Sequence, residues 1–211
     1  MVDKIPTEEK IKQAARKVFT QKGYAATRTR DIAEESGYNL ALLNYYFRSK
    51  EKLFEIVMLE NAQMFIHSML PMFNNPDIAL LDKITILADK YIDMLVDNPD
   101  MPLFMFGVLR DDPQGFINKV MGSQEQPRKI VFAMQWMEFA AKNKVSGINP
   151  IHFLMNLMGL IVFPFIASPL IRNRTGMSLD EYKQLMMERK KLIPVWIKQM
   201  ILTPPHTNEV L

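Results

Sequence analysis

Residues 24–53 read YAATRTRDIAEESGYNLALLNYYFRSKEKL, and this stretch decides the fold. A short helix is predicted over residues 27–36, and Gly37 ends it because glycine adopts a left-handed backbone conformation without steric cost. Asn39 is a favourable N-cap for a second short helix over residues 40–47. About three residues then separate two short helices, which is the spacing of a helix-turn-helix.

Helices are predicted on both sides of this stretch. Thr7 is expected to cap the first one, which stops at Gly23. Ser49 is expected to cap a fourth helix that begins at Lys50 and runs to Pro71. The residues expected on the buried sides are Ile11, Ala14, Ala15, Val18 and Phe19 in the first helix, Ile32 and Ala33 in the second, Leu43 and Phe47 in the third, and Leu53, Val57 and Met64 in the fourth.

The rest of the chain also predicts helices, because its apolar residues recur at helical spacing and none of its segments alternates as a strand would. These helices are expected at residues 77–97, 101–110, 113–121, 125–144, 149–171 and 178–202. We therefore predict an all-α fold of about nine helices, in which a three-helix helix-turn-helix domain is joined through a fourth helix to a larger helical domain.

Composition excludes several classes of protein. The 211 residues are 48% hydrophobic and 23% charged, as in a folded soluble chain. There is no cysteine, which excludes disulfides, thiolate metal sites and cysteine nucleophiles. The N-terminus lacks the apolar stretch of a secretory signal, so we expect a cytoplasmic protein.

The residues that an enzyme would need are missing. His67, His152 and His206 are far apart in the sequence, and neither a His-Glu-x-x-His nor a Gly-x-Ser-x-Gly pattern occurs. We therefore expect no enzyme, no catalytic or metal-binding residues and no cofactor.

Residues 24–53 resemble the N-terminal signature of the TetR family of transcriptional regulators. The matching residues are Thr27, Asp31, Ile32, Ala33, Gly37, Tyr46, Phe47, Ser49, Lys50, Glu51 and Leu53. The resemblance implies a DNA-binding domain over residues 1–55 and a ligand-binding and dimerisation domain over residues 56–203. We expect residues 204–211, with two prolines and no apolar period, to be a disordered tail.

The resemblance and the physics of DNA recognition indicate the same recognition helix. Its leading residues Asn39, Leu40 and Ala41 are expected to face base edges in the major groove, where Leu40 or Ala41 meets a thymine methyl group. Asn44, which replaces the aromatic residue common in the family, is expected to pair with adenine. Leu43 and Phe47 are better explained as core residues.

Contacts to the DNA backbone are expected from two groups of residues. The hydroxyls of Tyr45 and Tyr46 suit phosphate oxygens. Thr27, Arg28 and Lys50 are at predicted helix N-termini, where free N–H groups and the helix dipole favour an anion.

A ligand pocket is implied by the resemblance and is expected in the Met- and aromatic-rich segment 103–171. Methionine adapts to ligands of varied shape, and a small apolar effector is therefore expected. The residues predicted to line the pocket are Phe104, Met105, Trp136, Phe139 and Met155. Packing in an ordinary core remains the alternative for each of them.

Residues 151–171 are apolar over nearly the length of a membrane span, but His152, Asn156, Pro164, Ser168 and Pro169 interrupt them. We expect no membrane association. The resemblance implies that helices 149–171 and 178–202 pair with their copies in a homodimer. In the last helix, the predicted apolar stripe contains Leu179, Tyr182, Met186, Ile193, Ile197 and Met200.

The expected function is a repressor whose dimer binds a palindromic operator and is released from it by the effector. One observation keeps an alternative open. Residues 1–60 carry 11 Lys and Arg against 9 Asp and Glu, which is only weakly basic. A helical ligand-binding or scaffolding protein that has lost DNA binding is the alternative.

Overall fold

The computed structural model describes residues 5–121, 131–142 and 150–202. These residues form ten helices and no strand, which confirms the all-α prediction, and the ten helices correspond to the ten predicted ranges. The helices are α1 (Thr7–Ala26), α2 (Thr29–Ser36), α3 (Leu40–Phe47), α4 (Lys50–Asn74), α5 (Leu80–Asp97), α6 (Met101–Asp111), α7 (Pro113–Met121), α8 (Val131–Lys142), α9 (Pro150–Thr175) and α10 (Leu179–Leu202). The predicted tail at 204–211 and the start of the helix predicted over 125–144 lie outside the described residues.

The chain divides into two compact units. Residues 1–66 and 97–123 form unit 1, and residues 67–96 and 124–211 form unit 2. The division crosses α4, because the N-terminal part of that helix packs in unit 1 and its C-terminal part in unit 2. A division by packing does not test where DNA binding ends, so the functional boundary between residues 55 and 56 stays a prediction.

The core of unit 1 forms around the buried side of α1. The predicted stripe from Ile11 to Phe19 is buried, together with Ile32, Leu43 and Leu53 from the next three helices. Removal of such apolar surface from water, at about 25 cal/mol per Å², is the main stabilisation available to short helices.

The ends of α1 differ from the prediction. Thr7 is the first helical residue rather than the cap, and Pro6 precedes the helix with φ −55° and ψ 147° and no side-chain cap. The fixed φ of proline explains this, because it suits the residue that leads into a helix. At Gly23 the backbone leaves the helical region, with φ 74° and ψ 166°, so the regular part of α1 stops there as expected.

Ion pairs connect α1 to α4 within unit 1. The Lys12 ammonium is 2.6 Å from a Glu60 carboxylate oxygen, and Arg16 pairs with the other oxygen of Glu60. Glu9 lies 2.8 Å from Lys12 and 3.2 Å from Arg16. The hydrogen bond from Lys12 is the main cause that lowers the pKa of Glu9. These charges fix the position of α4 beside α1.

The C-terminal half of α4 differs from the prediction in two respects. Met64 is 55% exposed, so its place on the buried stripe was wrong. The helix also continues through Pro71 to Asn74. At its end, the Nζ of the buried Lys83 donates a hydrogen bond of 3.0 Å to the Phe73 carbonyl, which satisfies an acceptor in the last turn.

In unit 2, side chains of α10 donate hydrogen bonds to backbone carbonyls of α9 near Pro164. Pro164 has no N–H to donate to the Leu160 carbonyl, and the Arg189 Nε donates to that oxygen instead at 3.0 Å. The Tyr182 hydroxyl donates to the Pro164 carbonyl at 2.7 Å. Arg189 is also held over the Trp196 ring, 5.0 Å from its centroid. The two helices are therefore joined by polar as well as apolar contacts.

The apolar stripe of α10 is confirmed for Tyr182, Met186, Ile193 and Ile197, which are buried, but Leu179 and Met200 are exposed. In α9, Ile151–Thr175 is, among the described residues, the one segment long and apolar enough to cross a membrane. Of its apolar stretch, 22% is buried. Core helices of soluble proteins meet the same criterion.

Candidate nucleic-acid interface

The connection between α2 and α3 is a tight three-residue turn, as predicted. Gly37 adopts φ 73° and ψ 15°, a left-handed conformation that favours glycine. The Tyr38 N–H donates to the Ala33 carbonyl at 3.1 Å, which completes the end of α2. Asn39 caps α3, and its Oδ1 accepts a hydrogen bond of 2.9 Å from the Leu42 N–H. The local geometry is that of a helix-turn-helix.

The third helix has a buried face and an exposed face. Leu43 and Phe47 are buried at 0% and 2% exposure, which confirms them as core residues. On the opposite side Ala41, Asn44 and Tyr45 are exposed. Tyr45 is the most open of these aromatic residues at 79%, against 40% for Tyr46. The exposed face therefore offers an amide, a small methyl group and phenol hydroxyls to a groove.

At the leading end of α3, capping limits what Asn39 can offer to DNA, and burial limits what Leu40 can offer. Asn39 is exposed, but its carbonyl oxygen is occupied in the cap, so its amide N–H groups remain as donors. Leu40 is half-buried and presents only part of its side chain. Of the two residues expected to meet a thymine methyl group, the exposed Ala41 is therefore the more accessible.

Arg28 lies at the start of α2 and is exposed. Its backbone N–H donates to an Asp31 carboxylate oxygen at 2.8 Å, and Asp31 also pairs with Lys22 at 3.0 Å. The hydrogen bond from Arg28 is the main cause that lowers the pKa of Asp31. The Asp31 carboxylate fixes the backbone at the start of α2, and the Arg28 side chain is exposed to solvent there.

Thr27 does not occupy the predicted position for DNA contact. Its side chain is only 2% exposed, and its hydroxyl donates a hydrogen bond of 2.6 Å to the Gly23 carbonyl. The residue closes the turn between α1 and α2, because its hydroxyl and its backbone N–H, the latter at 3.3 Å, both donate to the Gly23 carbonyl. The expectation that it holds a phosphate finds no support in this position.

Lys50, at the first turn of α4, is bound to the same turn. Its ammonium donates to the carbonyls of Tyr24 and Thr27 at 3.0 and 3.1 Å and lies 4.2 Å from the centroid of the Tyr24 ring. Carbonyl oxygens are neutral, so these bonds leave the ammonium charged, and a lysine has a third N–H to donate. The side chain is therefore both a structural anchor and a fixed positive charge.

Arg48 was missed by the sequence analysis. It ends α3 with φ 64° and ψ −44°, and its side chain is exposed. Its number continues the i, i+3, i+4, i+7 spacing of Ala41, Asn44 and Tyr45, although its positive φ places it just after the last helical residue. That spacing is visible in the sequence and was the signal available to find this residue.

The residues predicted for a ligand pocket are divided between the two units. In unit 1, Phe104 packs edge-on against Phe54 with ring centroids 5.6 Å apart, and Met105 packs on a cluster that contains Phe116. In unit 2, Trp136 is buried, with its ring centroid 4.3 Å from that of Phe153.

The other two predicted pocket residues are also in unit 2. Phe139 is half-buried, and Met155 is 63% exposed. Such exposure does not fit the wall of an enclosed cavity. Spacing within each helix does not show which helices pack together, and the pocket formed by these five residues stays a prediction. A recess of about 10 Å³ in unit 1, beside Phe19 and Phe54, holds at most about one water molecule.

Among the described residues, no group of three or more His, Asp or Glu side chains is arranged to hold a metal ion. The predicted lack of metal and cofactor sites stays a prediction for the whole chain.

Comparison with known proteins gives a match to this interface. Residues 11–57 match the family described as bacterial regulatory proteins, tetR family. A curated relative is the probable HTH-type transcriptional regulator YttP of Bacillus subtilis (strain 168), which is 22% identical over 204 residues, with 95% of this chain and 96% of that protein covered.

Solved structures resemble the chain at low sequence identity. The putative transcriptional regulator SCO4942 from Streptomyces coelicolor superposes with a TM-score of 0.51 at 14% identity, covering 92% of this chain and 98% of that one. A putative TetR-family regulator from Mesorhizobium loti MAFF303099 gives a TM-score of 0.48 at 20% identity, with 90% and 96% covered. The first of these supports the helical fold.

Proposed function

Because this chain belongs to the TetR family of bacterial transcriptional regulators, we propose that it is a repressor that binds a palindromic operator as a homodimer. The observation that supports this best is the exposed face of α3 behind a capped three-residue turn. We propose a cytoplasmic protein without enzymatic activity or cofactor.

Base recognition is assigned to the exposed face of α3. The Asn44 amide can both donate to and accept from an adenine edge, a bidentate contact worth about 1–3 kcal/mol of discrimination. Ala41 is suited to a thymine methyl group, with Leu40 beside it. The amide N–H groups of Asn39 add donors at the leading end.

Phosphate binding is assigned to residues around that face. Arg28 and Arg48 are exposed cations, and Lys50 is a cation already fixed at the start of α4. The hydroxyls of Tyr45 and Tyr46 add neutral donors. These contacts compensate for the weakly basic character of the region, because a few well-placed charges release counterions as effectively as a larger diffuse excess.

The dimer is proposed to form through α9 and α10. Both helices expose large apolar side chains, which in a monomer would remain in water. These residues are Leu154, Met155, Phe163 and Leu170 in α9 and Leu185, Leu192, Val195 and Leu202 in α10. A dimer places two recognition helices about 34 Å apart, so that they read successive turns of an inverted repeat.

A small apolar or amphipathic effector is proposed to release the DNA. For a strong switch, it must bind the released form on the order of a thousandfold more tightly than the DNA-bound form. The exposed apolar side chains of α6, Leu103, Phe106 and Leu109, and of α8, Met134 and Met137, are the surfaces in each unit that are available for apolar contact.

The experiment is selection of bound fragments from sheared genomic DNA at near-physiological salt, followed by sequencing. We expect a short inverted repeat near a promoter. The same selection with Asn44→Ala should enrich a repeat with relaxed preference at one base position, and Lys90→Ala, an exposed cation of α5, serves as the control. Recovery of no enriched sequence by the unaltered protein, with and without candidate apolar ligands, would favour a helical ligand-binding protein without DNA binding.

A further inference from the structure

We propose that Asp100 is a positioning residue for DNA binding, whose carboxylate fixes the turn between α1 and α2 and, through Tyr24, the location of the Lys50 ammonium. This inference rests on the proposed function and deepens it, because Asp100 itself is not a DNA-contacting residue. All three residues belong to unit 1.

The first step is the bond between Asp100 and the turn. A carboxylate oxygen of Asp100 accepts a hydrogen bond of 2.7 Å from the Tyr24 N–H, across 76 residues of sequence. A bond from a neutral donor to a charged acceptor is stronger than one between neutral groups. The bond is formed directly after Gly23, where the backbone of α1 departs from helical geometry, so it holds the short last turn of α1 that follows this interruption.

The second step concerns what Asp100 does not do. It immediately precedes α6, where an aspartate is among the best N-cap residues, yet its side chain makes no capping bond to that helix. The carboxylate is directed to the turn between α1 and α2 instead. The Asp100 backbone, at φ −81° and ψ −12°, lacks the extended conformation in which an N-cap side chain reaches its own helix, and this leaves the carboxylate available to the Tyr24 N–H.

The third step is the connection from Tyr24 to the cation. The Tyr24 carbonyl accepts from the Lys50 ammonium at 3.0 Å, and the Tyr24 ring lies under the same ammonium. The Tyr24 hydroxyl donates to Glu51 at 3.1 Å, and its ring packs on Phe54 with centroids 4.5 Å apart. The backbone and ring of one residue thus define where the Lys50 charge is placed.

The fourth step is the rigidity of the segment that carries Asp100. The Asn61 side-chain amide of α4 donates to the Asn98 side chain at 2.8 Å, and the Met101 N–H donates to the Asn98 carbonyl at 3.0 Å. Met101 is buried. Asp100 is therefore held from both sides, and its carboxylate can fix the turn rather than follow it.

The direction in which DNA affinity changes when the Asp100 charge is removed distinguishes this proposal from a general electrostatic effect. Asp100 repels DNA phosphates, so its removal should tighten DNA binding if charge alone acts. If Asp100 positions Lys50, removal of the hydrogen bond should weaken binding despite the gain in net charge. Asp100→Asn removes the charge but keeps an acceptor oxygen, whereas Asp100→Ala removes both.

The experiment measures the affinity of the full-length protein for its selected operator over a range of salt concentrations. We expect Asp100→Ala to weaken binding by about fivefold or more and to lower the salt slope by about one phosphate contact. Asp100→Asn should stay within about twofold of the unaltered protein. Asp111→Ala, which removes an exposed carboxylate in the same unit, should bind as well as the unaltered protein or more tightly.

A double variant separates positioning from a general loss of stability. In a Lys50→Met background, Asp100→Ala should cause no further loss of affinity, because the charge that it positions is absent. Amide hydrogen exchange should be faster at Tyr24 in Asp100→Ala than in Asp100→Asn. Far-UV circular dichroism at the assay temperature confirms that each variant is folded.

Two results would overturn the inference. One is that Asp100→Ala binds the operator as tightly as the unaltered protein, and the other is that it weakens binding equally with and without Lys50. Failure of the proposed function looks different, because the unaltered protein would then bind no DNA, and the positioning role would be lost with it.

Discussion

Arg48 and Thr27 show how far a single residue can depart from what its neighbours in sequence suggest. Arg48 is a non-glycine residue at φ 64°, and its side chain is exposed directly after the last residue of α3. Thr27 shares a helix start with the exposed Arg28, yet it is buried and bonded to Gly23. Exposure, rather than residue type, decides which of these can meet DNA.

Asn44 is predicted to specify one base. Asn44→Ala should cost about 1–3 kcal/mol against the preferred base and much less against the other three. Fluorescence anisotropy measures the affinity for operators that carry each of the four bases at a given position, and each position is tested in turn. A loss of equal size on all four operators would show that Asn44 contributes to overall affinity and not to base recognition.

Arg48 is predicted to bind phosphate. Arg48→Gly, which keeps the positive φ without steric cost, should weaken binding to all operators similarly and lower the salt slope by about one contact. Arg48→Lys should retain most of the affinity, because the charge stays. If Arg48→Gly binds with an unchanged salt slope, the residue lies away from the DNA backbone.

The sequence predicted the site residues only in part. Asn44, Tyr45 and Leu43 follow from helical spacing, because a single short helix can have only one buried face. The internal bonds of Thr27 and Lys50 depend on the interruption of α1 at Gly23, which brings carbonyls of residues 23–27 toward α4. Spacing within one helix does not contain that information.

At the level of the helices, α9 depends on α10 for hydrogen bonding as well as for apolar contacts. Pro164 leaves the Leu160 carbonyl without its helical partner, and the Arg189 Nε replaces it. Burial lowers the pKa of the Arg189 guanidinium. The sequence predicts a kink at such a proline, but not the residue of the next helix that repairs it.

Arg189→Met is predicted to destabilise the protein by about 1–3 kcal/mol, because a partly buried carbonyl would lose its donor. Chemical denaturation followed by circular dichroism measures the free energy of unfolding. Lys191→Met, an exposed neighbour on α10, is the matched control and should change stability by less than about 0.5 kcal/mol. Equal effects of the two changes would assign the loss to charge or helix propensity instead.

The ion pairs between α1 and α4 predict a pH dependence of stability. The pKa of Glu9 is lowered in the folded chain from its ordinary value of 4.5, so its contribution is present above that value and is lost as pH falls through the lowered pKa. Glu9→Gln should therefore lower the melting temperature at pH 7 and converge with the unaltered protein in acid.

The size of that effect is limited, because the Glu9 side chain is 35% exposed and solvent screens the pair. A contribution below about 1 kcal/mol is expected. Thermal unfolding between pH 3 and pH 7 tests it, with Glu8→Gln, an exposed neighbour, as control. A difference between Glu9→Gln and the unaltered protein that grows toward acid pH would contradict the prediction.

For the whole molecule, the sequence predicted the class of fold and the DNA-binding region, whereas the effector pocket stays a prediction. Local spacing determines helices, and the signature at residues 24–53 determines the helix-turn-helix. The pocket prediction grouped Phe104 and Met105 of unit 1 with Trp136, Phe139 and Met155 of unit 2. Packing between residues far apart in sequence decides such a group, and composition does not reveal it.

A dimer that holds its two recognition helices at a fixed separation must depend on the spacing of the operator half-sites. We would measure the affinity of the purified protein for its selected inverted repeat and for the same repeat with about 5 base pairs, half a helical turn, added at the centre. The insertion turns one half-site to the opposite side of the duplex, and binding should fall by about a hundredfold or more, toward the level of unrelated DNA. Equal affinity for both sequences would contradict a dimeric operator-binding repressor.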